Sequence, residues 1–208
     1  TQFGPAASKC EVVGNPIRNE IRQLAPKASI HSPLRVLVIG GSLGSVPLNA
    51  MVPAALMSHS QVDVWHQSGK GNKEALDNAY SGAQCQWKVT EFIADMADAY
   101  AWADVIICRA GALTVAEVAA AGISAVFVPL PHAVNDHQTK NAAALVNAGA
   151  ATLIPQNELA KKLPDVIARW ITHPEECLAR GSKARQLAIV DATEQAVNQC
   201  LQLVGDTA

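Results

Sequence analysis

Charge is scarce in this sequence. Only 16% of its 208 residues are Asp, Glu, Lys or Arg, and they sum to a formal net charge of −2 with no basic block. A protein that neutralises nucleic-acid phosphates needs clustered Lys and Arg, so no nucleic-acid partner is expected. Aromatic residues make up only 4% of the chain, and each one in a loop is therefore worth noting. The five cysteines (Cys10, Cys85, Cys108, Cys177 and Cys200) include no CxxC pair. Their odd count and irregular spacing suggest neither a disulfide framework nor a zinc site, and a reducing compartment fits best. No apolar run approaches the roughly 20 residues of a membrane span, and no signal peptide is visible.

Hydrophobic residues, by contrast, make up half of the chain, enough for a sizeable buried core. They fall into short continuous runs separated by helical patterns. Strands are expected at Arg35–Ile39, Val62–His66, Trp87–Thr90, Asp104–Cys108, Ala125–Val128 and Ala151–Ile154. Helices are expected near 46–57, 73–80, 93–101, 113–121 and 137–148, with three more near 159–171, 175–188 and 193–204. Continuous apolar strands imply a sheet covered on both faces. Alternating βα units imply parallel pairing with right-handed crossovers. The expected fold class is thus α/β, a Rossmann-like doubly wound parallel sheet, whose ligands bind beyond the carboxyl ends of the strands. The chain opens on Thr1 rather than Met, and residues 1–10 (TQFGPAASKC) read as a linker from an absent N-terminal domain.

Five segments fall at or before those strand ends. Gly40-Gly41-Ser42-Leu43-Gly44 joins the first strand to a helix. Its glycines allow close backbone approach, and the helix start behind it suits phosphate. The same residues satisfy GxSxG, the hydrolase nucleophile elbow. That elbow normally lies deeper in a sheet, and neither Asp104 nor Asp136 with His137 or His173 makes a compelling triad. Arg109 to Glu117 (RAGALTVAE) follows the buried run DVIIC. There Thr114 and Glu117 are spaced as a capping box, yet Glu117 also suits a grip on ribose hydroxyls; the local sequence supports both. His132 to Asn141 (HAVNDHQTKN) offers polar groups for sugar hydroxyls, with Asp136, His137, Gln138 and Asn141 placed at a strand end. Its HxxxDH spacing supplies no third metal ligand. Gly14-Asn15-Pro16-Ile17-Arg18 is a turn whose Arg18 is either a surface charge or a cleft residue. Glu91-Phe92-Ile93 places an apolar pair where a flat base could be covered, although core packing is the commoner use. His31, His59, His66 and His173 show no recognisable pairing, and the four tryptophans read as core or half-buried packing.

Taken in order, GNPIR, VIGGSLG, WHQSGKG, VTEFIADMADAYAWADVIICRAGALTVAE and FVPLPH…DHQTKNA resemble the C-terminal half of the MurG family. These are the undecaprenyl-diphospho-muramoylpentapeptide N-acetylglucosaminyltransferases of peptidoglycan synthesis. The resemblance runs from about Cys10 to the end and is most specific in RAGALTVAE and HQSGKG. It implies a GT-B architecture in which residues 11–208 form the UDP-sugar donor-binding domain. The acceptor site and general base would lie in the N-terminal domain.

By matching motif, the resemblance places Arg18 near the donor nucleotide and Gly41 and Ser42 at phosphate. Ile93 would read uracil through its backbone with Phe92 beside it. Ala112, Leu113, Thr114, Val115 and Ala116 would line the diphosphate and sugar, Glu117 would grip the ribose, and His137 and Gln138 would lie at the GlcNAc hydroxyls. Two departures are visible. Leu43 stands where the family usually has Gln, removing a polar donor near the phosphates. At His137–Gln138–Thr139 many members carry two adjacent glutamines.

The implied reaction is inverting transfer of GlcNAc from UDP-GlcNAc to lipid I, with no metal or other cofactor, at the cytoplasmic face of the membrane. The fragment alone would bind donor without catalysing transfer. Other readings are a binding subunit of a split glycosyltransferase, the serine hydrolase, and a UDP-GlcNAc 2-epimerase, whose carboxylates and histidines are not found at the right motifs.

Overall fold

The structure is a computed structural model that describes residues 10–131 and 136–205. The expected linker falls almost wholly outside these residues, as does His132. Among the described residues, six strands form one parallel sheet: β1 (Leu34–Ile39), β2 (Val62–Gln67), β3 (Gln86–Thr90), β4 (Val105–Cys108), β5 (Ser124–Phe127) and β6 (Ala151–Leu153). Their order is β3-β2-β1-β4-β5-β6. The chain runs outward from β1 to β3, then returns to pair β4 against the other side of β1. The doubly wound arrangement expected from the alternating pattern is therefore present, with its switch point between β1 and β4. Two crossover helices that start there diverge, which opens a crevice at the strand ends.

The central strands β1, β4 and β5 are buried on both sides because both faces of the sheet are covered there. Leu37, Ile39, Ile106, Cys108 and Phe127 face one core with α4 (Met96–Trp102), α5 (Ala112–Ala121), α6 (His137–Asn147) and α8 (Pro174–Gln186). Val36, Val38, Val64, Ile107 and Val126 face the other with α2 (Val46–Leu56), α3 (Lys73–Ala79) and α7 (Leu159–Thr172). A last helix, α9 (Ala192–Gly205), follows α8.

Three local differences from the expected elements have physical causes. The single-turn α1 (Asn19–Arg22) follows the GNPIR turn; four residues are too few to show a periodicity. α4 starts at Met96 rather than at residue 93. Asp95 accepts the Asp98 amide at 2.9 Å and caps the helix there, which frees Glu91 to Ala94 as a loop. Asp104 precedes β4 instead of joining it. Its buried carboxylate accepts the amides of His31 (3.1 Å) and Arg35 (3.0 Å) and meets His31 Nδ1 at 2.8 Å. His31 is therefore paired after all.

His66 is paired too. Its ring lies buried on β2, with Nδ1 3.0 Å from the Tyr80 hydroxyl. Burial lowers its pKa from 6.5 to about 3, so the folded protein holds it neutral while the unfolded chain protonates it below 6.5. Stability from this group is complete above pH 6.5 and is lost as pH falls toward 3. Between pH 7 and pH 5 the loss is about 2 kcal/mol, at about 1.4 kcal/mol per pH unit below 6.5. Urea unfolding of wild type and His66→Gln at both pH values measures it. The variant should lose about 2 kcal/mol less than wild type on acidification, and equal losses would show that His66 is not the acid-sensitive group. Trp87 is half-buried, 39% exposed and stacked on Tyr80.

Candidate functional site

The crevice has two compartments, both at the carboxyl ends of the strands. The first encloses about 300 Å³ and is bounded by the β1 and β3 loops and by α4 and α5, with Arg18, Phe92, Ile93, Tyr100, Thr114 and Glu117 in its wall. The second is wider, about 700 Å³, and runs along Gly40 to Pro47 past Arg109, Thr114, Gln138 and Gln156. Gly41, Ser42 and Thr114 line both, so the two are continuous across the turn after β1.

Glu117 forms the floor of the smaller compartment. Its side chain is only 4% exposed, and a carboxylate so buried must be paired. Arg18 supplies the pairing, with Nε at 3.1 Å and Nη2 at 3.0 Å from the same oxygen, Oε1. Tyr100 donates its hydroxyl to the other oxygen, Oε2, at 3.1 Å. Burial, and after it the charge of Glu117, pushes the Tyr100 phenol well above its ordinary pKa, which keeps it a donor. The capping-box alternative is not realised. The helix begins at Ala112 with Gly111 as its N-cap, so Thr114 is already the third helical residue. No side chain caps this helix start, and the amides of its first turn have no intrahelical acceptor.

Opposite it, the β1 turn is fixed by backbone packing against its neighbour. Gly44 (φ +74°) and Gly69 (φ +81°) abut so closely that a Cβ on Gly44 would lie 2.3 Å from the Ser68 carbonyl oxygen. One on Gly69 would lie 2.1 Å from that of Leu43. Gln67 donates to the Gly41 carbonyl at 3.0 Å, and Asn49 donates to that of Ser68 at 2.8 Å. Gly41 itself (φ +95°) has open space where a side chain would be. The Leu43 side chain is 87% exposed.

Arg109 braces the wider compartment from behind. It is buried, and its guanidinium donates to the carbonyls of Val128 and Pro129 (both 3.2 Å), to Ser45 Oγ (2.9 Å) and to Gln156 Oε1 (2.6 Å). These acceptors are all neutral, so the positive charge is not cancelled by them. Burial lowers its pKa, as expected for a cation removed from water. Gln138 turns its carbonyl inward to accept the amides of Leu130 (2.9 Å) and Ala110 (3.3 Å). Only its amide group is left to donate outward. Asn141 donates to the Ala110 carbonyl at 3.0 Å.

Of the residues expected in the site, Arg18, Gly41, Ser42, Phe92, Ile93, Leu113, Thr114, Glu117 and Gln138 converge on these two compartments. Phe92 is 63% exposed at the rim while Ile93 is buried beneath it. The side chains of Ala112, Val115 and Ala116 turn instead to a separate apolar hollow between α5, α6 and residues 187–189. The 100° step per helical residue separates them from Thr114 and Glu117. His137 opens α6 and is exposed; it lines neither compartment. No described histidine lines either compartment, so Ser42 meets no base there, and the hydrolase arrangement is not formed. Among the described residues no cluster of three metal-ligating side chains occurs.

Tyr100, Gln67, Arg109 and Gln156 were not foreseen. The available signal was strongest for Arg109, a cation set directly against the buried run DVIIC.

The profile of the glycosyltransferase family 28 C-terminal domain matches residues 35–196. A Tolumonas auensis protein named UDP-N-acetylglucosamine–N-acetylmuramyl-(pentapeptide) pyrophosphoryl-undecaprenol N-acetylglucosamine transferase is 53% identical over 206 residues, 96% of this chain. An Aeromonas hydrophila protein of the same name is 48% identical over 97% of this chain. The chain spans 58% and 56% of the length of these two relatives. The crystal structure of Acinetobacter baumannii MurG superposes with a TM-score of 0.78 at 40% identity, covering 91% of this chain and 54% of that one.

Proposed function

The chain belongs to the glycosyltransferase family 28 C-terminal domain family, and from that membership we propose that it is the donor-binding half of a peptidoglycan N-acetylglucosaminyltransferase. The observation that carries the proposal is Glu117, a buried carboxylate held at the base of a compartment flanked by a glycine turn and an uncapped helix start. That combination suits a nucleoside diphosphate. The carboxylate accepts the ribose hydroxyls, and the amides of Gly41 and Ser42 and of the first turn of α5 meet the diphosphate.

The roles follow from position. Phe92 covers the base at the rim, and the Ile93 backbone reads the uracil edge. Arg18 sets Glu117 from the open side. Thr114 stands between the compartments, at the diphosphate and sugar. Ala112, Val115 and Ala116 contribute through the helix they build rather than through their side chains. Gln138 has its amide free to donate to GlcNAc hydroxyls, with His137 beside it. Arg109 adds a fixed positive charge behind the leaving group. Charge develops on the diphosphate as the anomeric carbon is attacked, and prearranged donors stabilise it without reorganising.

The acceptor, lipid I, and the general base belong to a preceding domain that residues 1–10 would join to this one. The whole protein would then act at the cytoplasmic face of the membrane. Among the described residues no helix is long and apolar enough to cross a membrane.

Calorimetric titration of the chain with UDP-GlcNAc, UDP, ADP and UDP-glucose tests the reading. Uridine-selective binding is expected, with a gain in stability of about 2.7 kcal/mol at a hundred times the dissociation constant. Binding of ADP as tightly as UDP would overturn it. The isolated chain is also expected to show no GlcNAc transfer to a lipid I analogue in a radiolabel assay. Detectable turnover would place the general base in this half.

A further inference from the structure

Three donors meet Glu117 within the protein: two from Arg18, both on Oε1, and one from Tyr100 on Oε2. The two residues differ in kind. The Arg18 side chain is 49% exposed, and water can replace part of what it gives. Tyr100 is 1% exposed, and its hydroxyl is fixed by a ring packed in the core with Ala99 and Ala103. The carboxylate plane is thus set from the buried side by one phenol. An ionised carboxylate accepts about four hydrogen bonds; three are taken here, which leaves one position on Oε2, toward a compartment whose wall includes both residues, and the half-exposed Arg18 can yield a second on Oε1 to a ligand hydroxyl.

Tyr100 also lies on α4, the helix capped by Asp95 immediately after the loop that carries Phe92 and Ile93. The path from the base-facing loop to the ribose-facing carboxylate is therefore short: Ile93, the Asp95 cap and one turn of α4 along the chain, then the hydrogen bond from the Tyr100 hydroxyl to Glu117 Oε2.

Building on the nucleotide site proposed above, we propose that Tyr100 is a positioning residue that orients Glu117 toward the ribose 2′- and 3′-hydroxyls, so that the site prefers ribose to 2′-deoxyribose. Without the phenol, Oε2 is free to rotate toward Arg18, and a two-point grip on a vicinal diol becomes a one-point contact. A purely structural Tyr100 would affect all ligands alike. A positioning Tyr100 affects only those that carry the 2′-hydroxyl.

The test is calorimetric titration of the 208-residue chain with UDP and with 2′-deoxy-UDP, on wild type, Tyr100→Phe, Glu117→Gln and the double variant. Wild type should favour UDP. Tyr100→Phe should weaken UDP by about fivefold to tenfold, the worth of one oriented hydrogen bond, and leave 2′-deoxy-UDP within about twofold. In the Glu117→Gln background, Tyr100→Phe should not change the ratio further. Equal weakening of both ligands by Tyr100→Phe, or an unchanged ratio, overturns the inference while leaving the nucleotide site standing. So does a change of ratio that persists without the Glu117 carboxylate. A wild type that binds no uridine nucleotide overturns the proposed function and this inference with it. Should Tyr100→Phe fail to fold, 3-fluorotyrosine at position 100 gives the same answer. Its fluorine resonance should move further on saturation with UDP than with 2′-deoxy-UDP; identical shifts overturn the inference.

Discussion

Replacing Glu117 with alanine is expected to weaken UDP-GlcNAc binding by about a hundredfold to a thousandfold, the largest loss from any single side chain in the site. Hydrogen bonds to a charged group contribute about 1.5–3 kcal/mol each. Two ribose hydroxyls on one carboxylate therefore account for about 3–6 kcal/mol, and a net loss of about 3–4 kcal/mol, at about 1.4 kcal/mol per factor of ten, is expected because water reaches the emptied position.

The fold should suffer less than the binding. Arg18 is half-exposed and passes to water when its partner is removed. Tyr100 is not exposed, and its orphaned hydroxyl would cost about 1–3 kcal/mol. A modestly lower melting temperature with a near-complete loss of affinity is the expected pattern, read by thermal unfolding and calorimetry on the same sample. Glu117→Gln keeps the shape and loses the charge, so it should fall between wild type and Glu117→Ala. If Glu117→Ala binds the nucleotide within about threefold of wild type, a difference of less than about 0.7 kcal/mol, the carboxylate is structural and the ribose must be held elsewhere.

What could be read from the chain, and what could not, divides along physical lines. Runs such as RVLVI and DVIIC are apolar because both sheet faces are covered, and that pattern is local, so the strands and their carboxyl ends were legible. Helix ends were less so. α4 begins where Asp95 accepts an amide, a choice among several polar residues that only the folded backbone makes. Glu117 could not be resolved locally, since the spacing of Thr114 and Glu117 fits a cap. Gly111 starts the helix three residues earlier, which turns Glu117 toward Arg18, 99 positions away. Tyr100 and Gln156 enter the site only through tertiary pairing, and nothing in their immediate neighbours announces it. The resemblance placed Val115 and Ala116 in the site as part of a continuous stretch. Helix positions three and four apart share a face, and Val115 and Ala116 lie with Ala112 and Ala119 on the one that meets the apolar hollow.

The HQSGKG segment, among the most specific parts of the family resemblance, has a structural explanation that leads to the second large effect. Gly44→Ala is expected to destabilise the protein by about 2–5 kcal/mol, from about 1–2 for a left-handed backbone with a side chain and about 1–3 for overpacking. The obstruction is the Ser68 carbonyl, 2.3 Å from the added carbon, and a backbone group cannot rotate away as a flexible side chain would. For a chain of this size that corresponds to a fall of roughly 4–20 °C in melting temperature.

Gly41→Ala is the control. Its φ of +95° is strained for alanine, but no atom lies within 4 Å of the new carbon, so only the backbone cost of about 1–2 kcal/mol remains. The two variants should also separate on ligand binding. Gly41→Ala places its methyl in the open space beside Ser42, where the diphosphate is proposed to lie, and should weaken UDP more than its stability loss suggests. Differential scanning calorimetry of both, with and without UDP, distinguishes a turn braced by Gly69 from one that merely happens to be glycine-rich. Gly44→Ala melting within about 2 °C of Gly41→Ala, less than about 1 kcal/mol apart, would mean that the two loops part easily and do not hold the phosphate turn in place.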